Sequence, residues 1–90
     1  MIIGIDFDGT ITRDPDLWYA FIAAARQRGH AVIVVTGRKE RPPVPNALAV
    51  IHARGDFKCA AARRAGFKVD VWIDDEPGLI EPQRMLEWED

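Results

Sequence analysis

The sequence contains very little cysteine. One residue of this type occurs among the 90, so no disulfide can form within the chain. The two histidines and the single cysteine also lack the spacing of zinc ligands. These features argue against a disulfide-stabilised secreted fold and against a zinc module.

Long hydrophobic runs are also missing. The first apolar run, Met1 to Ile5, is interrupted by Asp6, whereas a membrane-spanning helix needs about 20 consecutive apolar residues. The amino terminus has no signal-peptide pattern either. From these absences we expect a cytoplasmic protein with no membrane partner.

Neither sign of charge dominates. The chain has 12 basic and 14 acidic residues and a formal net charge of −2, which argues against a large nucleic-acid-binding surface. Its 48% hydrophobic and 29% charged residues are typical of a soluble globular protein. A chain of this length is expected to form one domain, residues 1–90, that buries roughly 60–65% of its unfolded surface.

The first 36 residues predict a strand, a helix and a second strand. The β-branched run 2–7 and the run 31–35 each indicate a buried strand. Between them, Asp14 is a suitable helix N-cap and Gly29 a suitable left-handed residue after the helix. Because parallel neighbouring strands need such a crossover connection, this order predicts a parallel sheet.

The remaining residues continue the alternation. Segment 38–45 contains three prolines and predicts an exposed loop. Segment 48–51 fits a short strand, with a helical turn as the alternative. Capping and turn residues then predict a helix at 56–65 with an Asp56 N-cap, a strand at 69–73, and two helical turns at 82–88. The predicted fold class is a small three-layer α/β/α Rossmann-like parallel sheet of about four strands.

Acidic residues follow the first and the last of these strands. Asp6 and Asp8 come at the end of the first, and Asp74 and Asp75 after the last. Ligands bind beyond the carboxyl ends of strands in such sheets. If the two strands are neighbours, four carboxylates meet in one small volume, where a cation relieves their repulsion. Oxygen ligands without His or Cys favour Mg²⁺. Taken singly, each acidic pair is more typical of a turn or a solvated loop.

Other residues suggest an anion site. Lys58 lies in the first turn of its predicted helix, where the helix dipole disfavours a cation, and a phosphate there would contact both the ammonium and backbone N–H groups. Thr36 and Gly37 follow a buried strand and offer a hydroxyl and a backbone N–H. The alternatives are a solvated lysine and simple strand termination. His30 and His52 belong to no such pattern and are interpreted as structural.

In this order, the residues resemble the four motifs of the haloacid dehalogenase (HAD) superfamily. Residues 6–10, Asp-Phe-Asp-Gly-Thr, resemble its first motif, DxDGT, and residues 34–36, Val-Val-Thr, resemble the second. Lys58 is similar to the third motif, and residues 72–75, Trp-Ile-Asp-Asp, are similar to the fourth. The resemblance reaches from residue 6 to residue 75, most of the chain.

The resemblance implies a role for each matching residue. Asp6 would be the nucleophile that forms an aspartyl-phosphate, and Asp8 the general acid and base. Thr36 and Lys58 would hold the phosphoryl oxygens. An Asp at position 8 is the form found in the family's phosphatases.

The resemblance also implies a Mg²⁺ site. Its ligands would be the Asp6 carboxylate, the Asp8 main-chain carbonyl and Asp74, with Asp75 bound through water or orienting the site. Gly37 and Arg38, which follow the second motif, are further candidates for phosphate binding.

The spacing of the motifs leaves no room for a cap domain, which this family commonly inserts after the first motif or before the third. An open site favours a large phosphorylated substrate, such as a nucleic-acid end, a phosphoprotein or a lipid-linked phosphate. The narrower hypothesis is a nucleotide or polynucleotide, because members of the family without a cap often act on large substrates. Alternatively, a second copy of the chain covers the site in a homo-oligomer. Within the chain, loop 38–45 is the segment that could cover the site, and Arg38 or Arg41 could bind a phosphate there.

These expectations lead to one function and one principal alternative. The leading hypothesis is a Mg²⁺-dependent phosphohydrolase that cleaves phosphate monoesters through an aspartyl-phosphate. The alternative is a HAD-like metal-binding module with little or no turnover that docks a partner. Phosphoryl transfer to an acceptor other than water is a third possibility.

Overall fold

The fold is a four-stranded parallel sheet with two α-helices. A computed structural model describes residues 1–82 of the chain. The strands pair in the order β3-β2-β1-β4, and every pairing is parallel. The elements are β1 (Ile2–Ile5), α1 (Pro15–Gln27), β2 (Ala31–Thr36), β3 (Ala49–His52), α2 (Lys58–Arg64) and β4 (Val71–Ile73), with 3-10 turns at Ile11–Arg13 and Pro77–Leu79.

The core consists of two apolar clusters separated by the sheet. Val32 and Val34 of β2 belong to the cluster that contains α1, whereas Ile33 and Val35 belong to the cluster that contains Ala61 of α2. Alternate residues of a strand point to opposite faces of its sheet, so the two helices cover opposite faces. The predicted α/β fold with a parallel sheet of four strands is confirmed, and the layering is consistent with a Rossmann-like arrangement.

The order of the strands creates a switch in the direction of chain progression. From β1 the chain moves outward through β2 to β3, and it then returns to place β4 on the other side of β1. Such switch points are where parallel α/β sheets bind ligands. In this fold the switch point lies between the carboxyl ends of β1 and β4.

Helix α1 follows its local sequence signals. The Asp14 side chain accepts a hydrogen bond from the Leu17 amide at 3.2 Å, and Pro15 occupies the first helical position. Gly29, just beyond the end of the helix, has φ +83°, a conformation that favours glycine. Both predicted helix ends are therefore confirmed.

Two element boundaries predicted from the sequence are wrong. Strand β1 ends at Ile5 rather than near Phe7, because the Phe7 carbonyl accepts hydrogen bonds from the Thr10 and Thr12 amides of a turn. Helix α2 begins at Lys58, with Phe57 rather than Asp56 at the N-cap position.

In the C-terminal half, one predicted strand is confirmed and one boundary is wrong. The strand predicted at 48–51 is present at Ala49–His52, so the alternative of a helical turn is wrong. Strand β4 covers Val71–Ile73, two residues less than predicted at its start. There, Asp70 instead pairs with Ile2 through its amide and its carboxylate. The helical turns predicted at 82–88 lie outside the described residues from position 83 onward.

No helix within residues 1–82 is long and apolar enough to cross a bilayer.

Gly4 of β1 packs closely against the side chains of Trp72 and Val69. A Cβ at this position would lie 2.7 Å from two carbons of the Trp72 ring and 3.2 Å from a Val69 methyl group. We expect Gly4→Ala to lower the free energy of unfolding by about 2 kcal/mol, because the rigid ring must move. Urea denaturation measures this loss.

Gly78→Ala is the matched control. Among residues 1–82, no atom beyond its chain neighbours lies within 4 Å of a Cβ at Gly78, and its φ is outside the left-handed region. The expected change in the free energy of unfolding is within about 0.5 kcal/mol. Equal effects of the two substitutions would contradict the packing of Trp72 on Gly4.

Candidate metal centre

Two carboxylates meet at the switch point because β1 and β4 are paired. Asp6 directly follows β1, and Asp74 directly follows β4. The Asp6 amide donates a hydrogen bond to the Ile73 carbonyl at 2.9 Å, which extends the pairing by one residue. The two strands therefore deliver both side chains to the same edge of the sheet.

Asp75 completes a cluster of three carboxylates. One oxygen from each of Asp6, Asp74 and Asp75 lies within 4.8 Å of the others. The close approach of Asp75 depends on Gly9, whose φ is +86° and where a Cβ would overlap the Asp75 carboxylate. The glycine of the Asp-Gly turn thus leaves the space that Asp75 occupies.

Lys58 places a buried positive charge between two of these carboxylates. Its Nζ donates hydrogen bonds to Asp6 Oδ1 at 2.6 Å and to Asp74 Oδ2 at 2.7 Å. Lys58 is 5% exposed and Asp6 is 6% exposed, and the Asp74 side chain is 1% exposed. Lys58 therefore pairs with two carboxylates and is not a solvated surface lysine, while its expected role in holding a phosphate stays a prediction.

The short distances and the burial shift the pKa values of the central pair. Burial raises the pKa of Asp6 to about 6, although the Lys58 ammonium lowers it. Burial lowers the pKa of Lys58, but the hydrogen bonds from its ammonium to Asp6 and Asp74 outweigh this effect and raise the pKa above its ordinary value. Lys58 is therefore charged at neutral pH, and Asp6 is mostly ionised.

The cluster fits a metal ion in donor type and in charge. Three carboxylates against one ammonium leave an excess of negative charge, with Asp6 buried, Asp74 partly buried and Asp75 exposed. The buried part of this charge is costly where water is excluded, and a cation with oxygen ligands offsets it. Asp6, Asp74 and Asp75 are the residues that could hold such an ion.

Asp8 does not join the cluster, contrary to the expectation of four carboxylates in one volume. Its carboxylate accepts hydrogen bonds from Arg38 Nε at 2.8 Å and from Arg38 Nη2 at 2.7 Å. Its side chain is 54% exposed. The hydrogen bonds from Arg38 hold the pKa of Asp8 below its ordinary value. Asp8 nevertheless lines the same cleft as Asp6.

Thr36 and Gly37 differ in their access to the cleft. Thr36 is buried, and its hydroxyl accepts a hydrogen bond from the Arg38 amide at 3.1 Å. Gly37 lines the cleft, and in the part of the chain that the structure describes no atom beyond its chain neighbours lies within 4 Å of the position of a Cβ there. The backbone at Gly37 therefore leaves free space beside the carboxylates, whereas Thr36 supports the turn that follows β2.

The cleft in front of these residues is open and has a volume of about 350 Å³. Its lining combines charged residues with less polar ones, among them Ala53, Gly55 and Leu79. The charged residues of the lining are Asp6, Asp8, Asp56, Lys58, Asp75 and Glu76. The cleft can therefore contact both charged and less polar groups of a bound molecule.

Two residues near the site were not among the sequence candidates. The Thr10 hydroxyl donates to Asp6 Oδ2 at 3.5 Å, and its place in the Asp-Gly-Thr motif is a signal that could have identified it. His52 Nδ1 lies 2.6 Å from the Arg38 carbonyl, so the ring donates to that oxygen. Nothing in the sequence links His52 to Arg38, because their contact depends on the pairing of β2 with β3.

The chain matches no protein family, and it matches none of the curated proteins or solved structures with which it was compared. The arrangement of the site residues is therefore the basis for assigning a function to this chain.

The buried ammonium of Lys58 is expected to stabilise the fold strongly. Lys58→Met leaves Asp6 and Asp74 close together without a cation between them, so we expect the free energy of unfolding at neutral pH to fall by about 3 kcal/mol. The loss should be smaller at pH 5, because protonation of Asp6 removes part of the repulsion. Urea denaturation at the two pH values measures both effects.

Lys68→Met is the control, since Lys68 is exposed and the change should cost no more than about 0.5 kcal/mol. A Lys58→Met variant as stable as this control at neutral pH would contradict the buried ion pairs.

Proposed function

We propose that this chain is a metal-dependent phosphohydrolase of the HAD type, which cleaves phosphate monoesters through an aspartyl-phosphate on Asp6. The observation that carries the proposal is a buried carboxylate at the sheet's switch point, with an ammonium on one side and two further carboxylates nearby. A nucleophile for phosphoryl transfer needs such an environment, because the reacting groups all carry negative charge.

Mg²⁺ is the proposed metal. Asp6, Asp74 and Asp75 would hold it, and the HAD resemblance adds the main-chain carbonyl of Asp8. The donor set is all oxygen, which suits Mg²⁺ rather than zinc or copper. When bound, the ion would neutralise charge on the phosphoryl oxygens as a Lewis acid.

In the first proposed step, an Asp6 carboxylate oxygen attacks phosphorus. The bond from phosphorus to the leaving-group oxygen breaks, and the Asp8 carboxyl group gives that oxygen its proton. The products are an aspartyl-phosphate on Asp6, an ionised Asp8 and a free alcohol.

In the second step, a water molecule attacks phosphorus of the aspartyl-phosphate. Asp8 accepts a proton from that water, and the bond between phosphorus and Asp6 breaks. Inorganic phosphate leaves, and both carboxyl groups return to their starting protonation states. Asp8 thus serves first as acid and then as base.

The remaining site residues would bind the phosphoryl group. Lys58 is charged and already contacts Asp6, so its ammonium is in place to offset charge on the transferred group. Gly37 provides open space and a backbone N–H, and Arg38 provides a guanidinium at the edge of the cleft. Thr36 would position these two residues through its hydrogen bond from the Arg38 amide.

The open cleft supports a large phosphorylated substrate. The short segments between the motif-like residues leave no room for an inserted cap, so we infer an uncapped site. The adjoining loop carries exposed basic residues, Arg38, Lys39 and Arg41, which suit a nucleotide or a nucleic-acid end. A second copy of the chain that covers the site is the other arrangement we propose for such an open cleft.

A partner-docking module with little turnover is the second candidate. The observation that favours it is the ion pair between Asp8 and Arg38, because a carboxylate held by a guanidinium is a poor proton donor. A module of this kind would retain the metal cluster but would not form the phosphoenzyme.

Asp6→Asn separates the two candidates. We expect the native chain to hydrolyse an aryl phosphate in the presence of Mg²⁺, and the variant to lose at least about 10³-fold in rate because the nucleophile is absent. The measurement is release of the aryl alcohol. Intact-protein mass spectrometry of the quenched reaction detects the phosphorylated chain.

Asp56→Asn is the matched control, since Asp56 lines the cleft but lies outside the carboxylate cluster. It should retain the native rate. Hydrolysis that survives Asp6→Asn, or that does not require metal, contradicts the covalent mechanism. A native chain that binds Mg²⁺ without hydrolysis supports the docking module, and phosphate that moves to an added alcohol indicates a transferase.

Mg²⁺ affinity is expected to depend on pH because Asp6 must be ionised to bind. With its pKa at about 6, roughly one Asp6 in ten is ionised at pH 5, so the affinity should be about tenfold weaker at pH 5 than at pH 7.5. Isothermal titration calorimetry at the two pH values measures the ratio.

Two variants show which carboxylate causes the pH dependence. Asp6→Asn should bind Mg²⁺ more weakly at both pH values and reduce the ratio to about twofold or less. Asp56→Asn should reproduce the native ratio. Equal Mg²⁺ affinities of the native chain at the two pH values would contradict the role of Asp6 as a ligand.

A further inference from the structure

The ion pair between Arg38 and Asp8 has the geometry of a two-point clamp. Arg38 Nε lies 3.1 Å from Oδ1 and 2.8 Å from Oδ2 of Asp8, and Nη2 lies 2.7 Å from Oδ1. The guanidinium therefore presents one edge to both carboxylate oxygens. Two parallel N–H donors on that edge also match two oxygens of a phosphate.

The position of Arg38 is fixed from three sides. Its amide donates to the Thr36 hydroxyl at 3.1 Å, and its carbonyl accepts a hydrogen bond from His52 Nδ1 at 2.6 Å. Its guanidinium carbon lies 5.0 Å from the centre of the Phe7 ring, within the range of a cation–π contact. The two hydrogen bonds thus fix the Arg38 backbone, and the Phe7 ring gives the guanidinium a second neighbour besides Asp8.

The pair is exposed to solvent, and its Asp8 member lines the cleft. The side chains of Arg38 and Asp8 are 50% and 54% exposed, while Asp6 and Lys58 lie deeper. An anion that enters from solvent therefore meets this ion pair before it reaches the buried residues. Ion pairs this exposed are weak enough for another anion to break.

We propose that the Asp8–Arg38 ion pair is a latch that a phosphate group opens, because phosphate and the Asp8 carboxylate compete for the same edge of the Arg38 guanidinium. This inference rests on the proposed function and extends it to the regulation of the site. Without phosphate, Arg38 holds Asp8. Once Arg38 binds phosphate, Asp8 is released toward the leaving-group oxygen, so Arg38 is a positioning residue for Asp8 as well as a phosphate ligand.

A double-mutant cycle with inorganic phosphate tests the competition. Phosphate is titrated at constant ionic strength into the ¹⁵N-labelled full chain, and the Arg38 Nε–H resonance and the backbone amides report binding. Asp8→Asn in the native background should tighten phosphate binding about fivefold, since the guanidinium is freed. In the Arg38→Met background, the same change should alter the affinity by less than about twofold.

Glu76→Gln controls for the loss of a negative charge. Glu76 is exposed and lines the same cleft, so its substitution should change phosphate affinity by the same small factor in both Arg38 backgrounds. An effect of Asp8→Asn that is equal in the two backgrounds overturns the latch, because it is then a general charge effect. Failure of the Asp8→Asn variant to bind phosphate also overturns it.

The outcome is separable from that of the proposed hydrolase, since phosphate affinity is measured without turnover. A chain that shows the coupling between Asp8 and Arg38 but hydrolyses no monoester refutes the hydrolase and retains the anion-controlled ion pair. A chain that hydrolyses monoesters but shows no coupling refutes the latch alone.

Discussion

The site depends on the two ion pairs that the buried ammonium of Lys58 makes with Asp6 and Asp74. Two carboxylates at the adjoining ends of β1 and β4 repel each other strongly when water is excluded. The ammonium makes their approach possible, and its distances of 2.6 and 2.7 Å leave no room for water between the charged groups. Lys58 also ties the start of α2 to the ends of two strands, so electrostatics and topology support each other here.

Asp6, Asp74, Asp75 and Lys58 form the inner group of the site. In this group the carboxylates outnumber the cations, and that imbalance gives the site its chemical character. Lys58 neutralises one charge, while Asp75, admitted by the absence of a side chain at Gly9, adds another. The resulting excess of negative charge attracts a cation. In the proposed function, a cation bound there would make the cluster attractive to phosphate, which a site composed of carboxylates alone would repel.

A second pair of charges lies nearer to solvent. Arg38 and Asp8 are each about half exposed, in contrast to the buried inner group. This difference in burial separates their roles: the inner ion pairs are costly to break and hold the fold together, whereas the outer pair can exchange partners at low cost. The His52 ring and the Thr36 hydroxyl keep Arg38 in place for such an exchange.

The sequence by itself determined the elements and the positions of the acidic residues, because helix caps, prolines and β-branched runs act over a few neighbouring residues. The cap at Asp14 and the parallel strands followed from these signals, and Asp6 and Asp74 could be placed at strand ends. Only the tertiary structure decided that β4 lies beside β1, that Lys58 is buried between two carboxylates, and that Asp8 pairs with Arg38 instead of joining the cluster. Those outcomes depend on strand order and on side chains far apart in the chain, whose energies of contact no local pattern encodes.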